Sequence, residues 1–236
     1  MKRIELFTFV YNDEDLLPFF LDHYGSMVDK MTFIDSGSTD ATLQLIKDHE
    51  VVQTGLTWWD WGALHKIRQT IWKSSKYDLV MFPDLDEFFY RKNLRNFLEI
   101  TSFDIYQMEG FQMVSKYFPA KGSSIFNIKK GIPLPLHNKY MIFNPRLPDL
   151  ELPDAHFISC SSTNISRLEI KLLHYKYLGV DNMMRRTKLV KSRVPADSYC
   201  EIIGGNVLEK FPSYIKTRQQ YEQEINELLR IAKDVI

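Results

Sequence analysis

The sequence has no long apolar run, almost no cysteine and no net charge. No stretch approaches the ~18 apolar residues of a membrane-spanning helix. The start, Met1-Lys2-Arg3-Ile4-Glu5, has the positive charge of a leader peptide, but Glu5, Asn12, Asp13, Glu14 and Asp15 interrupt the apolar stretch that a leader needs. The two cysteines, Cys160 and Cys200, lack any metal-type spacing. They read as reduced thiols, and a cytoplasmic location is the expectation that follows. Lys and Arg number 30 and Asp and Glu 30, a balance that argues against a dedicated nucleic-acid binder. Internal repeats and low-complexity linkers are also lacking.

What is present describes a soluble globular chain. Its 236 residues can bury a core without disulfides or a structural metal, and one domain is the simplest reading. Hydrophobic residues at 44% with 25% charged exclude a disordered chain. The aromatics cluster, most densely at Trp58-Trp59-Asp60-Trp61, which reads either as rings lining a cleft or as simple loop packing.

Periodicity predicts alternating elements in the first half. Ile4 to Val10 reads as a strand, followed by a helix carrying Leu16, Leu17, Phe20 and Leu21, capped by Asp13 or Asp15 with Pro18 in its first turn. Lys30 to Ile34 is a second strand. The turn Asp35-Ser36-Gly37-Ser38-Thr39-Asp40 leads to a helix with Leu43, Leu45 and Ile46 on its apolar face. Val51 to Thr54 is a third strand and Ala63 to Ser75 a helix. Leu79 to Pro83 is a continuous apolar strand, buried on both faces. Strand–helix alternation with short links predicts an α/β fold with a mostly parallel sheet flanked by helices. The second half is less regular. Phe103 to Met113, Tyr140 to Phe143 and Ile170 to His174 read as strands, Lys176 to Arg193 as a basic helix, and Ser213 to Ile236 as an amphipathic terminal helix.

Open parallel sheets bind ligands beyond the carboxyl ends of their strands. Tyr11-Asn12-Asp13, Asp35-Ser36-Gly37-Ser38 and Asp84-Leu85-Asp86 all fall at such ends. Asp84 and Asp86 are the sharpest feature. Two carboxylates just after a buried strand are costly unless solvated or paired with a cation. In extended backbone, residues i and i+2 face one side, so both can meet one Mg²⁺ or Mn²⁺ ion. The competing reading is a solvated acidic turn. Among the histidines, His23 and His49 end helical stretches and read as surface. His65 lies beside the aromatic loop, within reach of a phosphate. His156 and His174 flank apolar strands, as core residues or metal ligands.

The order of these features resembles family 2-type glycosyltransferases of the GT-A fold, and within them a subgroup whose centre reads DxDEF. The matching stretches are Phe9-Val10-Tyr11-Asn12-Asp13-Glu14, Phe33-Ile34-Asp35-Ser36-Gly37-Ser38-Thr39-Asp40, Trp72, and Asp78 through Asp84-Leu85-Asp86-Glu87-Phe88. Further on they are Glu109 to Ser115, Asn138-Lys139, Phe143-Asn144-Pro145, Ala155-His156 and Leu172 to Gly179. The resemblance implies a Rossmann-like nucleotide-binding fold in one GT-A domain over 1–236. Residues 1–100 would form the nucleotide-sugar half, 101–200 the acceptor and metal half, and 213–236 a C-terminal helix. It implies sugar transfer from a UDP-, GDP- or dTDP-sugar, aided by Mn²⁺ or Mg²⁺, to a glycan, lipid-linked sugar or glycoprotein, with inversion. Phe9, Tyr11, Asp35, Ser36, His65, Arg68, Asp84 and Lys139 would contact the donor. Asp84, Asp86, His156 and His174 would supply metal contacts. Ser36 stands where relatives often carry a second acid, and Asp154 where many have Gly.

An inverting transfer needs a base at the acceptor hydroxyl. Glu109, at the end of a strand after the metal motif, is the leading candidate, with Asp154 and Glu87 behind it. A nucleotidyltransferase is the main alternative. That class opens with a Gly-rich basic loop after the first strand, where this chain has the acidic Tyr11-Asn12-Asp13-Glu14. A non-catalytic glycan-binding module is disfavoured by the intact Asp84 and Asp86. The basic stretch from Lys176 can dock peripherally on an anionic membrane or form a solvated helix face; its weak apolar side favours the latter.

Overall fold

A computed structural model describes residues 1–56, 60–152, 157–193, 199–200, 205–206 and 216–236, and of Trp61, 199–200 and 205–206 the backbone alone. The first half runs β1 (Ile4–Val10), α1 (Leu17–Tyr24), β2 (Lys30–Asp35), α2 (Thr42–Leu45), β3 (Glu50–Gln53), α3 (Trp61–Thr70) and β4 (Leu79–Met81). The second runs β5 (Glu87–Tyr90), α4 (Leu94–Ile100), β6 (Ile105–Ser115), β7 (Lys130–Pro133), β8 (Ile142–Phe143), β9 (Ile165–Leu178), α5 (Val180–Arg193), β10 (Tyr199–Cys200), β11 (Gly205–Asn206), α6 (Arg218–Ile231) and β12 (Lys233–Asp234). Among the described residues, no helix is long and apolar enough to cross a membrane.

The chain divides into two compact units: Met1–Thr54, Ile67–Phe111 and Pro133–His174 form one, and Gly55–Lys66, Gln112–Ile132 and Tyr175–Ile236 the other. The units interleave along the sequence rather than parting near residue 100.

The first unit is a mixed α/β sheet, parallel at its centre. β1 pairs in parallel with β2 on one side and β4 on the other, and β3 continues beyond β2. Leu79, Val80 and Met81 of β4 are all buried, as a strand covered on both faces requires. β8 then runs antiparallel to β4, and the first residues of β6 pair with β8. β5 runs antiparallel to β9, with Glu87 opposite His174. The chain therefore steps outward from β1 to β3 and returns to β4 on the far side of β1. That reversal is the switch point at which such sheets open a crevice.

Local chemistry explains where elements depart from the expected pattern. α1 begins at Leu17 with Pro18 in its first turn but has no carboxylate cap. The Asp13 carbonyl instead accepts from the N–H groups of Leu16 and Leu17. α2 is a single turn in which Leu43 and Leu45 are exposed, so the expected apolar face reduces to Ile46 just beyond it. Phe103 to Met113 resolves into one long strand, β6, and Ile170 to His174 is the middle of the fourteen-residue β9. His23 is half-buried rather than on the surface, with its ring 4.4 Å from that of Tyr24.

In the second unit, Val114, Tyr177, Met183, Tyr221 and Ile225 form the core, with Leu228, Leu229 and Ala232 packed on it. Burying side chains of this size contributes roughly 1.5–3 kcal/mol each. α6 starts at Arg218, five residues later than expected. Thr217 and Gln220 form a reciprocal capping box that fixes this start. The basic helix α5 begins at Val180, so Lys176 lies in β9. Arg193 is buried and donates to the Leu56 carbonyl at 3.2 Å, so it is not part of a solvated face.

Candidate functional site

The loops that follow β1 and β2 are tied together by side chains. Asn12 adopts a left-handed backbone (φ 50°). Its Oδ1 accepts from the N–H groups of Thr39 at 2.7 Å and Asp40 at 3.2 Å, and its own N–H donates to Ser38 Oγ at 3.0 Å. Asp35 is fully buried, and its carboxylate accepts from Gly37 N–H at 3.0 Å and Ser38 N–H at 3.1 Å. Gly37 takes φ 87°, a conformation that favours glycine. Asp35 therefore shapes its own loop, and the buried Ser36 lies within it.

Phe9 and Tyr11 at the end of β1 are half-buried. The Phe9 ring stacks on Phe82 with centroids 5.7 Å apart. The Arg68 guanidinium lies 4.5 Å from the Phe82 centroid and 5.2 Å from that of Phe9, a cation–π arrangement that holds the arginine over apolar rings. From there Arg68 donates to Asp84 Oδ1.

Asp84 to Glu87 is a hydrogen-bonded turn. Glu87 N–H donates to the Asp84 carbonyl at 2.9 Å, and Asp84 N–H donates to Glu87 Oε2 at 3.0 Å. The expectation of an extended backbone here, with both aspartates on one face, is corrected by this turn. It carries Leu85 into the core and gives the two carboxylates different neighbours. Asp84, with 38% of its side chain exposed, faces Arg68 and Lys139. The buried Asp86 has Oδ2 3.5 Å from His174 Nε2.

Lys139 is the most enclosed cation in the cluster. Only 3% of its side chain is exposed, and its Nζ donates to Glu87 Oε1 at 2.5 Å and lies 3.5 Å from Asp84 Oδ2. Burial alone would lower its pKa, but the Glu87 and Asp84 charges outweigh this and raise it. The reciprocal effect falls on Asp84. Desolvation opposes ionisation, yet Arg68 and then Lys139 prevail and pull its pKa down to about 2.

Lys139 is delivered by a short segment gripped by β6. Met108 N–H donates to the Lys139 carbonyl at 2.9 Å, Gly110 N–H to Asn138 Oδ1 at 2.8 Å, and Leu134 N–H to the Gly110 carbonyl at 2.8 Å. A Cβ on Gly110 would come within 2.6 Å of the His137 backbone, so only glycine allows this approach. His137, which sequence reasoning passed over, stacks on His174 with centroids 4.5 Å apart and has Nδ1 3.9 Å from Glu87 Oε1. Its adjacency to Asn138-Lys139 was the one available signal.

The other expected residues are placed as follows. Glu109 is half-buried in the middle of β6 rather than at a strand end. His65 belongs to the second unit. Asp154, His156, Trp58 and Trp59 lie outside the described residues.

The donor chemistry permits a partial metal site. Asp86 and His174 offer one carboxylate and one imidazole, a set that suits Mn²⁺ or Mg²⁺ when substrate phosphates and water complete the shell. Asp84 fits less well, since a cation would have to displace or face Arg68 and Lys139. Among the described residues, no cluster of three or more His, Cys, Asp or Glu forms a full cage.

No protein-family model matches this sequence, and no curated protein matches it. Solved structures do. Glucosyl-3-phosphoglycerate synthase from Mycobacterium tuberculosis, in complex with Mn²⁺, UDP and glucosyl-3-phosphoglycerate, is 15% identical over 84% of this chain and 82% of that chain, with a TM-score of 0.46. A second crystal of that enzyme, with Mn²⁺, UDP and phosphoglyceric acid, is 17% identical over 62% of this chain and 57% of that one, at 0.38. A structure described as a mycobacterial protein is 19% identical over 47% of this chain, at 0.34, and this chain spans 42% of its length.

Proposed function

We propose that this protein is a GT-A-type glycosyltransferase that moves a sugar from a nucleotide-sugar to a hydroxyl of a glycan or glycoconjugate. The observation that carries the reading is the convergence of Arg68 and Lys139 on Asp84, beside Asp86 and His174, at the carboxyl ends of β1 and β4. Transfer of a sugar from a nucleoside diphosphate requires the leaving diphosphate to be stabilised as its charge grows. Arg68 and Lys139 are fixed cations suited to that task. Arg68 is braced by Phe9 and Phe82, and Lys139 by Glu87. Phe9, against Arg68, and Tyr11, just beyond the end of β1, would contact the nucleoside.

Asp86 and His174 would hold Mn²⁺ or Mg²⁺. Such an ion supplies Lewis-acid stabilisation of a departing diphosphate. In this reading Asp84 orients the two cations rather than serving as a principal metal ligand. Glu109 is the proposed base on the acceptor hydroxyl, consistent with inversion. Glu109→Gln is expected to slow transfer while sparing donor binding, and wild-type rates would remove it as base.

A thermal-shift panel of UDP-, GDP- and dTDP-sugars with and without Mn²⁺ tests the function, because a ligand that binds only the folded state raises the melting temperature. Nucleotide release from a sugar donor supports the transferase. Pyrophosphate release from a nucleoside triphosphate and a sugar phosphate would replace it with a nucleotidyltransferase.

A further inference from the structure

We infer that Tyr24, at the end of α1, is a positioning residue for the Glu87–Lys139 couple, an inference that rests on the functional reading above only for its link to donor binding. Tyr24 is wholly buried, and its hydroxyl does what a neighbouring strand would do. It donates to the Glu87 carbonyl at 3.0 Å and accepts from Phe89 N–H at 3.0 Å. His23 adds a contact from Nε2 to the Phe89 carbonyl at 3.0 Å. Burial holds His23 at a pKa of about 4, so its ring is neutral near pH 7 and Nε2 is the protonated nitrogen that donates.

These bonds fall on the very residues that set the cluster. β5 is a short strand, and β9 supplies its hydrogen-bonded partner with Glu87 opposite His174. The Tyr24 hydroxyl satisfies a backbone donor and acceptor two residues apart, which fixes how far Glu87 advances along β5. The Glu87 side chain then clamps Lys139 with one oxygen and the Asp84 N–H with the other. Loss of the hydroxyl leaves two buried backbone groups without their partner, and the cheapest relief is a shift of β5 toward water or toward other donors. Any such shift moves Glu87 and loosens its hold on Lys139. The Tyr24 ring is held separately, by Phe20 at 4.6 Å and Phe89 at 5.8 Å, so Tyr24→Phe removes the bonds while keeping the packing.

The test labels lysines with an amine-reactive reagent and follows Lys139 by mass spectrometry, with exposed Lys92 as internal reference. In Tyr24→Phe, Lys139 is expected to react at least about tenfold faster relative to Lys92, since the variant loses two buried hydrogen bonds and loss of one already brings about that change to an opening equilibrium. Ile225→Val, in the core of the second unit, serves as a control for general destabilisation and is expected to leave the ratio unchanged. Should Tyr24→Phe not fold, His23→Leu removes the bond on Phe89 alone and is expected to move the ratio in the same direction. An unchanged Lys139 ratio, or an equal rise in the control, overturns the inference. Mn²⁺–UDP affinity measured on the same proteins separates the two readings. A rise in labelling with weakened binding supports both, whereas a rise in labelling in a protein whose wild type binds no nucleotide upholds the positioning role and removes the transferase.

Discussion

Replacing Lys139 by methionine should be the most damaging single change in the cluster. Its Nζ lies 2.5 Å from Glu87 Oε1, with 3% of the lysine and 1% of the glutamate side chain exposed. The variant keeps an unbranched chain of similar reach but strands the Glu87 carboxylate in a buried setting. Removing one partner of such a pair costs about 3–5 kcal/mol, because the remaining charge has lost both water and its counterion. Urea unfolding at pH 7 measures this directly. Glu87→Gln in the same chain keeps an acceptor for the Asp84 N–H, and the double variant is expected to recover at least about 2 kcal/mol. The pH dependence gives a second handle. The folded pKa of Lys139 is raised above its ordinary 10.5, so its contribution is complete below that pH and fades as pH climbs through the folded value. That alkaline loss should be missing from Lys139→Met. A single variant that costs under about 1 kcal/mol, or a double variant as unstable as the sum of the singles, would refute the claim that this buried pair holds the cluster together.

Three further outcomes can be checked with standard tools. Asp86→Asn is expected to abolish Mn²⁺-dependent nucleotide binding by calorimetry while leaving the circular dichroism spectrum intact; unchanged affinity would sink Asp86 as a ligand. Asp84 has its pKa depressed from 3.8 to about 2, so its contribution to stability is present above pH 3.8 and lost as pH falls through about 2. With 38% of its side chain exposed, solvent screening limits that contribution to about 1 kcal/mol, and wild type and Asp84→Asn should converge in stability near pH 2. Gly110→Ala places a methyl 2.6 Å from the His137 backbone and is expected to cost about 1–3 kcal/mol in unfolding experiments, with faster hydrogen exchange over residues 134–139; a neutral substitution would show that this segment can move freely.

Much of the first unit could be read from one sequence because period and punctuation agree there. Leu79 to Met81 is apolar throughout and became a strand buried on both faces, and Pro18 sits where a helix start tolerates it. Asp84-Leu85-Asp86 stood out in the sequence as an acidic strand end, but its conformation did not. The turn is set by Glu87, which bonds back to Asp84 through both backbone and side chain, and by Leu85, which needs a place in the core. Neither effect has a period to detect. The partners of Asp84 were harder still, since Arg68 and Lys139 lie 16 and 55 residues away. The start of α6 was legible in principle, because Thr217 and Gln220 have capping-box spacing, yet hydrophobic periodicity alone placed it too early. His137 was missed because a histidine in a proline-rich loop gives no pattern, and its value comes only from the close approach that Gly110 permits.

The distance of Lys139 from the turn it neutralises also bears on how the protein is made. On the ribosome, Asp84 to Glu87 emerges and can be drawn against β1 and α1 well before its lysine exists. During that interval Glu87 has no counterion of its own and must stay in water, which keeps β5 from docking. Residue 139 and then β9, which ends at Leu178, are needed before the pocket can dry out. The charge pair on this turn can therefore close only after residue 139 has been made. Released chains that end between residues 100 and 135 should hold an open, hydrated turn, vulnerable to protease beside a sheet whose parallel strands are already paired.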